Sequence, residues 1–184
     1  WTTDTTATFD RLDEGGHTFY VKGRYSVSDE DLTPAQSSFN VDAVSGSSIR
    51  IFPQVRHAIL NSVFEMDVYA EEVVNVAGLR VELQYDSQQV ELYGDIVKGQ
   101  FLTSYSGSDI FIDEVSTGGM IITSGVTAGN DDLGLNGSGI LFKLSFNALI
   151  AGASNIDIIT VEYRDADNNN IELNEVINGE IIVE

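Results

Sequence analysis

The chain has 184 residues, enough for one or two domains with a sizeable core, and carries 29 acidic against 9 basic residues for a formal net charge of -20. That balance repels phosphate backbones and turns the expectation away from nucleic acid, toward cations or cation-loaded proteins. With no cysteine, disulfides and thiolate metal sites are excluded, and no apolar run approaches the roughly 20 residues that a helix needs to insert into a membrane.

The first residue is Trp1, with neither Met nor a leader ahead of it, which reads as a fragment or processed piece of something longer. Thr6-Ala7-Thr8-Phe9 alternates like a strand, Asp13-Glu14-Gly15-Gly16 is a turn, and residues 17–25 make a longer strand. After the polar stretch 29–34, Ser38-Phe39-Asn40-Val41 is the third. Three strands alone cannot enclose a core, because a small sheet needs a second layer over its apolar face. Residues 1–44 therefore form an incomplete three-stranded segment, and small, polar residues 45–48 are the linker.

The second domain, 49–184, begins with the strand Ile49-Arg50-Ile51-Phe52-Pro53, whose proline suits an edge or an end. Residues 63–92 carry the strongest pattern. Phe64, Met66, Val68 and Ala70 alternate with Glu65, Asp67 and Tyr69; after Asn75-Val76-Ala77-Gly78, the residues Leu79, Val81, Leu83 and Tyr85 alternate with Arg80, Glu82 and Gln84. Period two over this length means two strands of a sheet with one buried face. Val90-Glu91-Leu92 is a further short strand.

Residues 104–108 read as a polar loop, 109–115 and 119–125 as a hairpin about Ser116-Thr117-Gly118, and 127–139 as a long loop rich in Gly, Asn and Asp. Ile140, Phe142, Leu144 and Phe146 share one face of the clearest late strand, and 155–163 and 176–183 complete the set. No segment has a helical period. About nine strands make an all-β sandwich.

Residues 66–78 (MDVYAEEVVNVAG), 79–86 (LRVELQYD), a turn and 90–92 (VEL) resemble the opening half of a cohesin module, the dockerin-binding domain of cellulosome scaffolds. Residues 137–146 (GSGILFKLSF) resemble that family's late G-x-G strand, so the likeness covers about 48–184. It implies a nine-stranded jelly-roll sandwich with a non-catalytic role outside the cell or at its surface. Residues 15–25 and 33–41 resemble the last three strands of an immunoglobulin-like or fibronectin type III-like module.

Catalysis finds no support: His17 and His57 fall in different domains and no G-x-S-x-G elbow occurs. In the cohesin family the sheet containing 79–85, 109–113 and 119–125 receives the dockerin. If Ile110, Ile112, Met120 and Ile122 point inward, Phe111, Ile121 and Thr123 point outward beside Arg80, Glu82 and Gln84, an apolar centre with a polar rim. The competing phase puts Phe111 in the core.

No cofactor is required. Calcium is the one metal the sequence admits, at Asp165, Asp167 and Asn169, whose alternate spacing resembles the first half of a calcium loop. Asn170 replaces the glycine of an EF-hand and Val176 its bidentate Glu, so the alternative is a hairpin tip with turn-forming Asp and Asn. Asn130-Asp131-Asp132 admits the same two readings. The partner is then a dockerin-like protein, or another copy of this chain if strand complementation builds a surface fibre. Carbohydrate binding rests only on Tyr93 and Tyr105, since the domain has no tryptophan.

Overall fold

Alternating apolar residues become strands through most of the chain. The computed structural model describes residues 6–9, 12, 15–26, 29–41, 44–103, 109–126 and 134–184, which divide into two units, Trp1–Ser45 and Gly46–Glu184. Asn130, Asp131, Asp132 and Tyr105, and the loop at 104–108, lie outside the described residues.

In the smaller unit, β1 (Gly15–Val21) pairs antiparallel with β4 (Ala35–Val41), and β2 (Arg24–Ser26) with β3 (Asp29–Glu30). The single strand expected at 17–25 is thus split at Lys22-Gly23, and 6–9 joins no sheet. Phe9 instead packs its ring on Phe19, centroids 4.9 Å apart, and His17 stacks on Phe39 at 5.8 Å. No described residue of this unit is buried.

The larger unit is a sandwich of two sheets. Its strands are β5 (Ser48–Phe52), β6 (Val55–Ala58), β7 (Val63–Val76), β8 (Gly78–Tyr85), β9 (Val90–Leu92), β10 (Val97–Lys98), β11 (Asp109–Ser116), β12 (Gly119–Val126), β13 (Leu135–Ala148), β14 (Gly152–Arg164), β15 (Asn170–Ile171), β16 (Glu175–Ile177) and β17 (Gly179–Val183). One helical turn, α1 (Gln100–Thr103), is too short to leave a periodic signal. The first sheet runs β10-β13-β7-β5-β16 with β9 also on β13, and the second β11-β12-β8-β14-β17-β6 with β15 on β14.

The strands at 63–76 and 78–85 belong to facing sheets, not to one. Asn75, at φ 58°, and Ala77 carry the chain across, and Ala77 N–H donates to the Arg164 carbonyl at 2.8 Å. Both apolar faces therefore meet in the same core from opposite sides. Phe64, Met66 and Val68 oppose Val81 and Leu83, all at most 3% exposed, and Phe146 lies against Phe64 and Tyr85 at 5.9 and 5.1 Å. Asp67 and Tyr69 are also buried, although they take the polar phase. They sit on the central strand of their sheet, in register with Lys143 on β13 and Arg50 on β5.

Bulges reset the phase on both β7 and β13. Glu72 adopts φ 46°, after which Val73 becomes the core residue while Glu71 is enclosed, its carboxylate accepting from Arg50 Nη2 at 2.5 Å and Ser48 Oγ at 3.1 Å. On β13 a register shift between Ile140 and Phe142 places Leu141 in the core and leaves Ile140 only half-buried. This strand also begins at Leu135, inside the stretch expected to be loop.

Candidate recognition surface

The register of the second sheet assembles its outer face row by row. Ile112, Thr123, Arg80 and Glu162 are cross-strand neighbours on β11, β12, β8 and β14; the next row is Glu114, Ile121, Glu82 and Thr160. Neighbours in register point to the same face, so Arg80, Glu82, Gln84, Ile121 and Thr123 all come together as the alternation placed them.

Phe111 does not. The hairpin loop contains only Thr117 and Gly118, with Ser116 paired to Gly119. Gly118 turns the chain at φ 76°, and a Cβ there would meet the Tyr85 carbonyl oxygen at 3.0 Å. Counting back from that turn, Phe111 lies opposite buried Ser124 and packs against the core, with Lys98 Nζ 5.6 Å from its ring centroid. Ile110 and Ile112 take the outward places instead, 45% and 53% exposed. A three-residue loop shifts the register by one and inverts the face, which is why the alternation alone misplaced them.

The surface is therefore an apolar strip of Ile110, Ile112 and Ile121 bordered by charged and polar side chains. Arg80 Nη2 lies 3.8 Å from Glu82 and Arg164 Nη2 3.2 Å from Glu162. Exposed pairs of this kind add about 0–1 kcal/mol to stability, so these groups remain available to a partner.

Asp165, Asp167 and Asn169 do meet at one turn, between β14 and β15. There the Asp165 carboxylate accepts from the backbone N–H groups of Asp167 (3.0 Å) and Asn169 (2.7 Å) and from Asn169 Nδ2 (2.9 Å). These donors, led by the Asn169 side chain, hold the Asp165 carboxyl below its ordinary pKa. The carboxylate thus acts as the staple of an Asx-type turn, with Asn168 at φ 64°. No group of three or more His, Cys, Asp or Glu among the described residues is arranged to hold a metal ion.

His57 Nδ1 pairs with Glu184 at 3.1 Å on an open surface. Tyr163 is enclosed in the core with no partner for its hydroxyl among the described residues, and burial raises its pKa, so its phenol stays neutral. Tyr93 is 58% exposed, with no second described aromatic beside it on a platform. No helix among the described residues is long and apolar enough to cross a membrane.

No family model and no curated protein matches the chain. Solved structures do. A non-cellulosomal cohesin from the hyperthermophilic archaeon Archaeoglobus fulgidus superimposes with a TM-score of 0.63 at 18% identity, covering 76% of this chain and 92% of that one. The OlpA cohesin of a Clostridium thermocellum type I cohesin–dockerin complex gives 0.64 at 16%, covering 76% and 99%. A type II cohesin domain from the cellulosome of Acetivibrio cellulolyticus gives 0.61 at 14%, covering 74% and 95%. About three-quarters of the chain, the share that the larger unit makes up, thus has the jelly-roll fold of the cohesin module.

Proposed function

We propose that Gly46–Glu184 is a non-catalytic recognition module that captures a dockerin-like protein outside the cell or at its surface. The carrying observation is the strip of Ile110, Ile112 and Ile121 on the outer face of β11, β12 and β8, rimmed by Arg80, Glu82, Gln84, Thr123 and Glu162. A desolvated apolar centre with a polar border is how protein partners are held. Two of the solved structures of this fold are described as cohesin–dockerin complexes from Clostridium thermocellum, which supports the class of partner.

The test is titration of the full chain with dockerin-like proteins of its source organism, by surface plasmon resonance. Ile112→Asp with Ile121→Asp is expected to weaken the interaction by about thirtyfold or more, the effect of losing a hot spot worth about 2 kcal/mol. Unchanged affinity in that double variant would remove this face from the interface.

A second reading concerns Trp1–Ser45, where no described residue is buried and Phe9, Val21 and Phe39 are 53%, 52% and 41% exposed. Unsupported apolar strands with open backbone edges invite strand complementation by another copy, as in a surface fibre. Light scattering of the full chain against a version beginning at Ser47 tests it. Association of the full chain alone supports complementation, and a monomer of both excludes it.

A further inference from the structure

We propose that a second binding site, for a linear uncharged oligosaccharide, lies beside the recognition strip at the other end of the same sheet face. Its basis is a pair of adjoining hollows of about 350 and 280 Å³. The larger is lined chiefly by Gln54, Asn155, Asp157, Asn178 and Glu180; the smaller by Gln84, Tyr85 and Asp86, with Asn155 and Asp157 forming the wall common to both.

The fold creates the larger hollow. β5 and β16 run parallel in one sheet and their continuations β6 and β17 run parallel in the other, so both strands leave the first sheet at the same level. The crossing residues are Pro53-Gln54 and Asn178-Gly179. Gly179 permits the close crossing, since a Cβ there would lie 2.6 Å from Ile51 and 2.9 Å from Ile156. Asn178 is fixed by two bonds: its Oδ1 accepts from Ile158 N–H, which sits beside a register shift in the β8–β14 ladder, and its Nδ2 donates to Asp157 Oδ1, both at 2.9 Å. One carboxylate oxygen of Asp157 is thereby held in place while the other remains open.

The chemistry of the lining selects the ligand. It contains no Lys, Arg or His, and its three carboxylates repel an anion. Apolar ligands favour pockets walled mostly by hydrophobic and aromatic groups, which these hollows are not. Four side-chain amides, which both donate and accept, stand among carboxylates that only accept. That mixture matches vicinal hydroxyls, each of which is donor and acceptor at once. A bare cation leaves the amide donors unused, and the carboxylates do not gather into a metal site. Two hollows with a common wall fit successive units of a chain better than a single ring, and Val55, 45% exposed at the outer end, offers apolar contact to a sugar face.

The experiment follows backbone amide shifts of the full chain during titration with neutral hexasaccharides of β-1,4-linked glucose, xylose, mannose and N-acetylglucosamine. Saturable shifts centred on Gln54, Asn155, Asp157 and Asn178 are expected with at least one of them. Gln54→Ala with Asn155→Ala, both exposed positions outside the recognition strip, is expected to weaken that titration about tenfold while leaving the remaining spectrum intact. The proposal is overturned if none of the four saccharides moves these amides, if calcium chloride or arginine amide moves them and no saccharide does, or if the double variant titrates like the parent chain. None of these outcomes touches the isoleucine strip, whose test requires a protein partner.

Discussion

The antiparallel pairs β1–β4 and β11–β12 are built from nearly equal lengths of chain, seven residues per strand in the first and eight in the second. Both alternate, and both show apolar side chains to solvent. Yet β12 buries Met120 and Ile122 to 1% and 0% exposure, whereas nothing on β1 or β4 is buried. The difference is the neighbours: β12 pairs with β8 and faces a second sheet, while β1 and β4 pair only with each other among the described residues. Ordering two seven-residue strands costs on the order of 20 kcal/mol of backbone entropy, and ring contacts such as Phe9–Phe19 return about 0.5–1.5 kcal/mol each beyond area burial. Alternation specifies a strand; a facing layer makes it stable.

The sharpest way to break this comparison is to remove one aromatic from each region. Phe146→Ala, which empties a position touching both Phe64 and Tyr85, is expected to destabilise the larger unit by about 3–5 kcal/mol in urea unfolding. Phe39→Ala, at 41% exposure, is expected to leave that transition within about 0.5 kcal/mol. Equal shifts from the two would mean that the smaller unit contributes to the cooperative core.

A second test works inside β11, where inward and outward residues adjoin. Phe111→Ala is expected to cost roughly 2 kcal/mol, less than a fully enclosed ring, and Ile112→Ala no more than about 0.5 kcal/mol. The reverse order would restore the opposite phase. Much of the fold was legible, because Leu79, Val81, Leu83 and Tyr85 repeat without interruption on β8 and all point inward. Less legible were the bulges at Glu72 and Leu141 and the outward face of β11, since each depends on one extra residue in a pairing that alternation does not record. The outward phase of β8 and β12 could be read; that of Ile110 and Ile112 required the loop length, and Thr117-Gly118 was the available signal. The hollow at Gln54 and Asn178 had no local signature at all, because it arises where two strands distant in sequence change sheets together.

The smallest expected effect belongs to the turn at Asp165, which is open to solvent yet ordered by its own hydrogen bonds. Its carboxyl is held below the ordinary value because the Asn169 side chain and the backbone N–H groups of Asn169 and Asp167 stabilise the charged form. The sign follows from linkage: a group with a depressed folded pKa contributes stability above its unfolded pKa and loses it as the pH falls through the folded value. Acid is therefore expected to loosen the β14–β15 turn, seen as faster hydrogen exchange at the Asn169 amide at acidic pH than base-catalysed chemistry predicts. Asp165→Asn keeps the shape but removes the titration, so exchange at Asn169 should lose that acid dependence. Calcium provides the opposing outcome. If added calcium protects Asn169 in the parent chain and not in Asp165→Asn, the three oxygen-bearing residues form a cation site as well as a turn; protection identical in both places any calcium elsewhere.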